Sequence, residues 1–195
     1  MDNRIKDKIT LGFIKSFLKN YSTFNCGIMY NMKDEDISDE KYNQRKTEAA
    51  VYYKSIISVK CPYFNNDPVH FNADGFEHII FKEWNKTRSR VDQYARFRLL
   101  PLAVSVIKRS GTMQEYAERN SFVRRKSKGG WNKLMKLVRY YVFIAIIGEL
   151  RIKVVVKEIE GGSKNFHTMY PSWEIEKRPD GSKIKKLYSG NLETD

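Results

Sequence analysis

The stretch VRYYVFIAII, residues 138–147, decides the fold class of this chain. It is dense in β-branched and aromatic residues, which pack well on a pleated sheet, and it is too short to span a bilayer as a helix. The segment LRIKVVVK at residues 150–157 begins by alternating apolar and basic side chains, which is typical of a half-buried strand. Gly148 and Glu149 between the two segments favour a tight turn. We therefore predict that an antiparallel sheet begins at residue 138.

The sequence after this hairpin predicts further strands. Gly161 and Gly162 indicate a second hairpin turn, and residues 164–170 form a strand that Pro171 ends. A turn at residues 178–181 predicts a small C-terminal hairpin between residues 173–177 and 182–188. Together these segments predict an antiparallel β-meander of about four strands.

The sequence before residue 138 favours helices. Apolar residues recur at steps of three and four along residues 4–20, and Ser38 with its acidic followers starts a second helix that runs to about residue 58. Further helices are predicted at residues 76–83 and at 88–109, the latter kinked at Pro101. We expect one more turn at 112–117 and a flexible basic loop at 124–130.

Helices followed by strands predict an α+β fold. The turn-rich break at residues 61–68 suggests a helical segment at 1–60 and an α+β domain at 61–195, although a single continuous domain is also compatible with 195 residues.

Composition excludes several functional classes. The two cysteines, Cys26 and Cys61, form no CxxC spacing, so we expect free thiols and neither a metal site nor another cofactor. Phosphate-binding loops, dinucleotide fingerprints, HExxH and GxSxG are all missing from the sequence. The N-terminus has no long apolar stretch, so we expect a cytoplasmic protein that does not associate with membranes.

The positive charge is concentrated in one block. The chain carries a net charge of +13, and residues 82–139 hold 16 Lys and Arg against 4 Asp and Glu. The segments on either side are nearly neutral. Clustered cations bind phosphate without sequence preference, so this block predicts RNA or another nucleic acid as the partner.

Two of the chain's three histidines flank the basic block and are candidates for proton transfer. His78 precedes Lys82 by four residues, which would place both on one helix face. His167 lies in the late strand beside Thr168, so strict alternation directs the two to opposite faces. That alternation groups Thr168 with Tyr170 and leaves open which face lines a site.

Arginines on the predicted long helix are candidates for phosphate binding, because a guanidinium matches two phosphate oxygens. Arg88 and Arg98 lie beside the apolar stripe of that helix, and Arg96 lies farther round it. Arginines in this position bury their stems and present their charged ends to a cleft.

The segments GFEHIIFK at residues 75–82, RFRLLPL at 96–102 and KNFHTMYPSW at 164–173 resemble the barnase–EndoU–colicin–RelE-like ribonuclease superfamily, especially its phage-type members. The resemblance covers about residues 69–173 and leaves 1–60 unexplained. It implies metal-independent cleavage of RNA to a 2′,3′-cyclic phosphate, in a toxin, effector or processing enzyme that an inhibitor protein can accompany.

The same resemblance matches His78 to the helix histidine, Arg96 or Arg98 to the phosphate-binding cation, and Thr168 to the late-strand hydroxyl. His167 departs from the superfamily pattern.

The leading hypothesis is therefore a metal-independent endoribonuclease. Its catalytic candidates are His78, Arg98, Thr168 and His167, and its substrate-binding candidates are Lys82, Arg88, Arg96 and Tyr170. One alternative is a non-catalytic nucleic-acid-binding protein. Another is a metal-dependent nuclease that uses Glu158 and Glu160, and the tyrosine-rich segment 42–53 suggests a protein-interaction surface.

Overall fold

The computed structural model describes residues 33–83, 86–127, 130–147, 150–172, 175–177, 181 and 183–185. The predicted helix at residues 4–20 and Cys26 lie outside the described residues.

Three α-helices occur in the described part of the chain: α1 at Asp39–Ser55, α2 at Ala73–Ile80 and α3 at Arg90–Arg109. Each begins at a polar side chain that accepts a hydrogen bond from the first turn: Ser38 for α1, Asn72 for α2 and Ser89 for α3. The predicted starts of α1 and α3 are thus confirmed to within two residues. Short 3₁₀ turns lie at Asp34–Asp36 and Pro62–Phe64.

The strands are β1 Ser58–Lys60, β2 Pro68–His70, β3 Phe81–Glu83, β4 Lys86–Thr87, β5 Glu115–Ser127, β6 Gly130–Ile147, β7 Leu150–Ile159, β8 Lys164–Pro171, β9 Ile175–Lys177 and β10 Lys183–Lys185. The main sheet has six strands in the order β1-β2-β8-β7-β6-β5. The α+β class is confirmed, but about four strands was too few. The predicted meander is confirmed for β6 to β8, whereas β5 was not predicted and β2 joins β8 as a parallel neighbour.

The largest error in the strand prediction concerns β5. Residues 112–117 and 124–130 were expected to form a turn and a loop, yet residues 115–127 pair continuously with residues 130–142. This strand carries little apolar alternation of its own, so its sequence gives no strand signal. It forms because β6 supplies a long antiparallel partner, and tertiary pairing overrides local preference.

The core lies between the helices and one face of the main sheet. Phe97 and Leu100 of α3 pack with Phe143 of β6 and Phe166 of β8, all fully or almost fully buried. Tyr53 of α1 belongs to the same cluster, so α1 shares a core with the sheet.

The close approach of α2 to β8 depends on one glycine. A Cβ atom at Gly75 would overlap the Tyr53 hydroxyl and the Phe166 carbonyl oxygen. Only glycine therefore lets α2 lie this close to the strand that carries His167.

No helix in the described ranges is both long and apolar enough to cross a lipid bilayer.

Candidate functional site

His78 and His167 meet beside β8, the third strand of the main sheet. His78 lies in the last turn of α2 and His167 in β8, and their ring centroids are 4.0 Å apart with an interplanar angle of 59°. Both line an open cleft of about 360 Å³, together with Asp74, Lys157 and Asn165. We call this cavity the histidine cleft.

A β-bulge sets the position of His167. Val155 of β7 pairs with Thr168 and Val156 pairs with Phe166, so His167 is the extra residue between two regular pairs. Strict alternation was expected along this strand, yet Phe166 and Met169, three residues apart, are both buried in the core. The bulge shifts the side-chain phase and frees His167 to approach His78.

Tyr140 lies beside His167, and Arg119 lies beside Tyr140. The Tyr140 ring lies 5.5 Å from the His167 ring. The Arg119 guanidinium lies 5.4 Å from the Tyr140 ring centroid, and its Nη2 donates a hydrogen bond of 3.2 Å to the Tyr140 hydroxyl. Lys157 is the register partner of Tyr140, which puts its side chain on the same face of the sheet.

The surroundings keep the two imidazoles neutral. The pKa of His167 is lowered to about 3, first by burial and then by the nearby His78, Lys157, Arg119 and Arg88. Burial is also the main cause that lowers the pKa of His78, with Lys157 and Arg88 adding to it and Asp74 opposing it. At neutral pH each ring therefore offers one N–H donor and one nitrogen acceptor. An anion bound in the histidine cleft would offset the positive charges and raise the pKa of both rings.

A partly buried chain of polar contacts joins the two histidine-bearing elements. Arg88 Nε donates to the His78 carbonyl oxygen at 3.0 Å, and Arg88 Nη1 lies 3.2 Å from Asp92 Oδ2. The other oxygen of Asp92 accepts from Arg96 Nε at 2.9 Å. Arg96 Nη1 in turn donates to Thr168 Oγ1 at 2.7 Å and to the Met169 carbonyl oxygen. We call this set, from Arg88 to Thr168, the arginine brace.

The arginine brace explains the placement of three predicted site residues. Arg96 and Thr168 are buried and hold one another, and Arg88 binds the backbone at His78. Tyr170 lies against this set, with the Arg96 guanidinium 5.5 Å from its ring centroid. These side chains fix the spacing of α2 and β8 and so hold the two histidines together.

Two other predicted residues, Lys82 and Arg98, do not line the histidine cleft. Helix α2 ends at Ile80 and Lys82 belongs to β3, so the predicted shared helix face of His78 and Lys82 is wrong; Lys82 is exposed. Burial is the main cause that lowers the pKa of Arg98; Tyr94 opposes this shift and Arg45 of α1 adds to it. The influence of Arg45 puts Arg98 on the α1 side of the core.

Sequence reasoning missed Tyr140, Arg119 and Lys157 as neighbours of the histidines. Each lies in a segment with many similar residues, so no local signal distinguishes them. The register of β6 against β5 and β7 brings them together, and that register is known only from the fold.

The carboxylates proposed for a metal site already have partners. Glu158 accepts a 2.7 Å hydrogen bond from the Tyr141 hydroxyl, and Glu160 lies 4.0 Å from the Lys136 ammonium. Within the described residues, no three His, Cys, Asp or Glu side chains cluster in a way that could hold a metal ion.

Comparison of the chain with protein-family models, with curated proteins and with solved structures finds no match. The resemblance to the ribonuclease superfamily therefore stays a prediction from the sequence.

Proposed function

We propose that this chain is a metal-independent endoribonuclease in which His78 and His167 form the acid–base pair. The observation that carries the proposal is the contact between two imidazoles from distant parts of the chain, in an open cleft that Lys157 also lines. Arg119 and Arg88 lie near enough to lower the pKa of His167. Cleavage of RNA through its own 2′-hydroxyl requires a base, an acid and cations, and this cleft holds each of them.

The reaction begins when the 2′-oxygen attacks the adjacent phosphorus and passes its proton to a neutral imidazole. The bond between phosphorus and the 5′-oxygen then breaks, and the leaving oxygen takes a proton from the other, protonated imidazole. The products are a 2′,3′-cyclic phosphate and a 5′-hydroxyl end. Exchange with water returns both histidines to their starting protonation states.

The unequal surroundings of the two rings divide the roles. The pKa of His167 is lowered to about 3, so this ring is unprotonated in the free protein and is available as the base, and the bound phosphate raises its pKa and so makes it a stronger base. The pKa of His78 is lowered by burial and nearby cations but is supported by Asp74, so this ring is the one that takes up a proton and serves as the acid. The substrate phosphate assists by raising the pKa of His78.

The contact between the rings also limits how a phosphate binds. At a centroid distance of 4.0 Å there is no space for a phosphate between them. The phosphate therefore binds across the nitrogen edges of both rings on the cleft side, where Lys157 and Arg119 neutralise the phosphorane. A cleft of about 360 Å³ is in the size range of small-ligand sites and accepts one nucleotide unit.

The test is cleavage of a fluorescently labelled RNA in the presence of EDTA. We expect His78→Ala and His167→Ala each to lower the rate by about 10²- to 10⁴-fold, the usual contribution of general acid–base catalysis. His70→Ala is the matched control, because it removes the remaining histidine, at the end of β2. Absence of cleavage in EDTA, or equal rates for the histidine variants and wild type, would contradict the proposal.

The second candidate function is nucleic-acid binding without catalysis. The observation that favours it is the concentration of cations on β5 and β6, which does not require the histidine pair. In that case RNA binding weakens with salt, no cleavage occurs, and His78→Ala leaves the affinity unchanged.

A further inference from the structure

The β5–β6 hairpin projects beyond the rest of the main sheet. The register between β6 and β7 ends at the pair Val138–Ile159, whereas β5 and β6 stay paired as far as Ser127 and Gly130. Residues 121–127 and 130–136 therefore form a two-stranded extension, which we call the ribbon.

The ribbon and its base are strongly cationic. Between residues 119 and 139 the sequence contains eight Lys and Arg and no Asp or Glu. Arg124 and Lys133 are direct register partners, so two exposed cations lie side by side on one face. Like charges in this position destabilise a strand pair, and a bound polyanion removes that repulsion.

The same face carries exposed apolar side chains on both sides of this cation pair. Phe122 and Met135 are register partners and are 70% and 56% exposed, and Trp131, two residues from Lys133, is 70% exposed. Aromatic rings alternating with cations are what single-stranded nucleic acids require, because bases stack on the rings while phosphates contact the cations. Bases inside a duplex are already stacked and cannot reach these rings.

The ribbon leads to the histidine cleft. Arg119, at its base, contacts Tyr140, and Tyr140 lies 5.5 Å from His167. Arg119 is an odd number of residues from Phe122 and from Arg124, so it lies on the opposite face of β5, and a bound strand passes over the edge of the hairpin to reach the cleft. At about 3.3 Å per residue, Arg124 lies roughly 17 Å along β5 from Arg119. This span corresponds to about five nucleotides at a stacked spacing of about 3.4 Å.

We propose that the ribbon is a binding arm for single-stranded RNA, which it holds while an adjoining phosphate occupies the histidine cleft. This inference rests on the proposed function for its choice of RNA, and it adds that the substrate is single-stranded. Selectivity for unpaired RNA then comes from Phe122 and Trp131, and overall affinity comes from the cations.

The experiment measures binding of a labelled oligouridylate of about twenty nucleotides to the full chain carrying His78→Ala, which prevents cleavage. Adding Trp131→Ala or Phe122→Ala is expected to weaken binding about 5-fold or more, the usual effect of losing one stacking ring. Ile57→Ala is the matched control, because Ile57 is 81% exposed and lies next to β1 at the opposite edge of the sheet. It is expected to leave the affinity unchanged.

A second pair of variants tests the cations. Arg124→Ala with Lys133→Ala is expected to reduce the slope of log affinity against log salt by about 1.4, since each phosphate contact with a single strand contributes about 0.7. Lys46→Ala with Lys54→Ala, two exposed lysines of α1, is the charge-matched control and is expected to leave the slope unchanged.

Three outcomes would overturn the inference. The first is an unchanged affinity for oligouridylate in both ring variants, and the second is binding of a blunt RNA duplex that is as tight as or tighter than that of oligouridylate. The third is that the ring variants lose binding to anionic vesicles but keep their affinity for oligouridylate. Cleavage of a dinucleotide separates the ribbon from the catalytic proposal. If Trp131→Ala weakens oligouridylate binding but leaves dinucleotide cleavage intact, both proposals are supported. If oligouridylate binds through the ribbon and wild type cleaves nothing, the ribbon stands and the catalytic proposal fails.

Discussion

Replacement of His167 by glutamine should make the protein less sensitive to acid. In the folded state the pKa of His167 is lowered to about 3 by burial and by positive neighbours, whereas in the unfolded chain it returns to its ordinary value near 6.5. Between these values the unfolded chain binds a proton that the folded chain does not. The free energy of unfolding therefore falls as pH drops below 6.5 and is recovered above it.

The magnitude follows from the two pKa values. At pH 5 the proton taken up by the unfolded chain destabilises the fold by about 2 kcal/mol, and a folded pKa one unit higher gives nearly the same figure. The loss of stability between neutral pH and pH 5 should therefore be about 2 kcal/mol smaller in His167→Gln than in wild type.

Urea denaturation at both pH values measures this difference, and the comparison with wild type cancels the carboxylates that titrate in both proteins. His70→Gln is the matched control for loss of a histidine as such. An identical pH dependence in His167→Gln and wild type would refute the reasoning, because it would mean that the ring is not held among these cations.

Three further variants or measurements test the site. Thr168→Val should lower the free energy of unfolding by about 1.5–3 kcal/mol in urea denaturation, because the buried Arg96 loses a hydrogen-bond acceptor. Thr168→Ser keeps the hydroxyl group and should retain most of the wild-type stability. Equal stability of wild type and both variants would count against the arginine brace. Gly75→Ala should lower the free energy of unfolding by about 1–3 kcal/mol through overpacking against the Tyr53 hydroxyl. The better helix propensity of alanine should offset about 1 kcal/mol of this loss. The substitution should reduce RNA cleavage by more than this loss of stability implies, since α2 must move away from β8; full activity would show that the histidine contact does not matter. The pH profile of kcat/KM should be bell-shaped, with its maximum between the pKa of about 3 for the base His167 and the lowered pKa of the acid His78. A maximum near pH 8 would contradict this assignment.

The sequence predicted the elements whose signals are local. Ser38 and Ser89 cap their helices through their own hydroxyl groups, so the starts of α1 and α3 follow from residue type and position. Strands β6 and β7 carry enough β-branched residues to be recognised without a partner. By contrast, β5 exists because β6 pairs with it, and its cations resemble those of a solvated loop.

The candidate site was harder to predict because it depends on register. The sequence supplied both histidines, but strict alternation and the family pattern favoured Thr168 over His167. The bulge at His167 breaks that alternation and has no mark in the sequence. Thr168 is buried against Arg96, and His167 is the residue that lines the histidine cleft with His78.

We propose that His78 and His167 act as one catalytic unit because their rings are in contact, and end-group analysis of RNA products in EDTA tests this most directly. Wild type should produce 2′,3′-cyclic phosphate ends, and the double variant His78→Ala with His167→Ala should be about as slow as either single variant, because removal of one member already disables the pair. Cyclic phosphate ends produced at the wild-type rate by the double variant, or no such ends from wild type, would contradict the central claim.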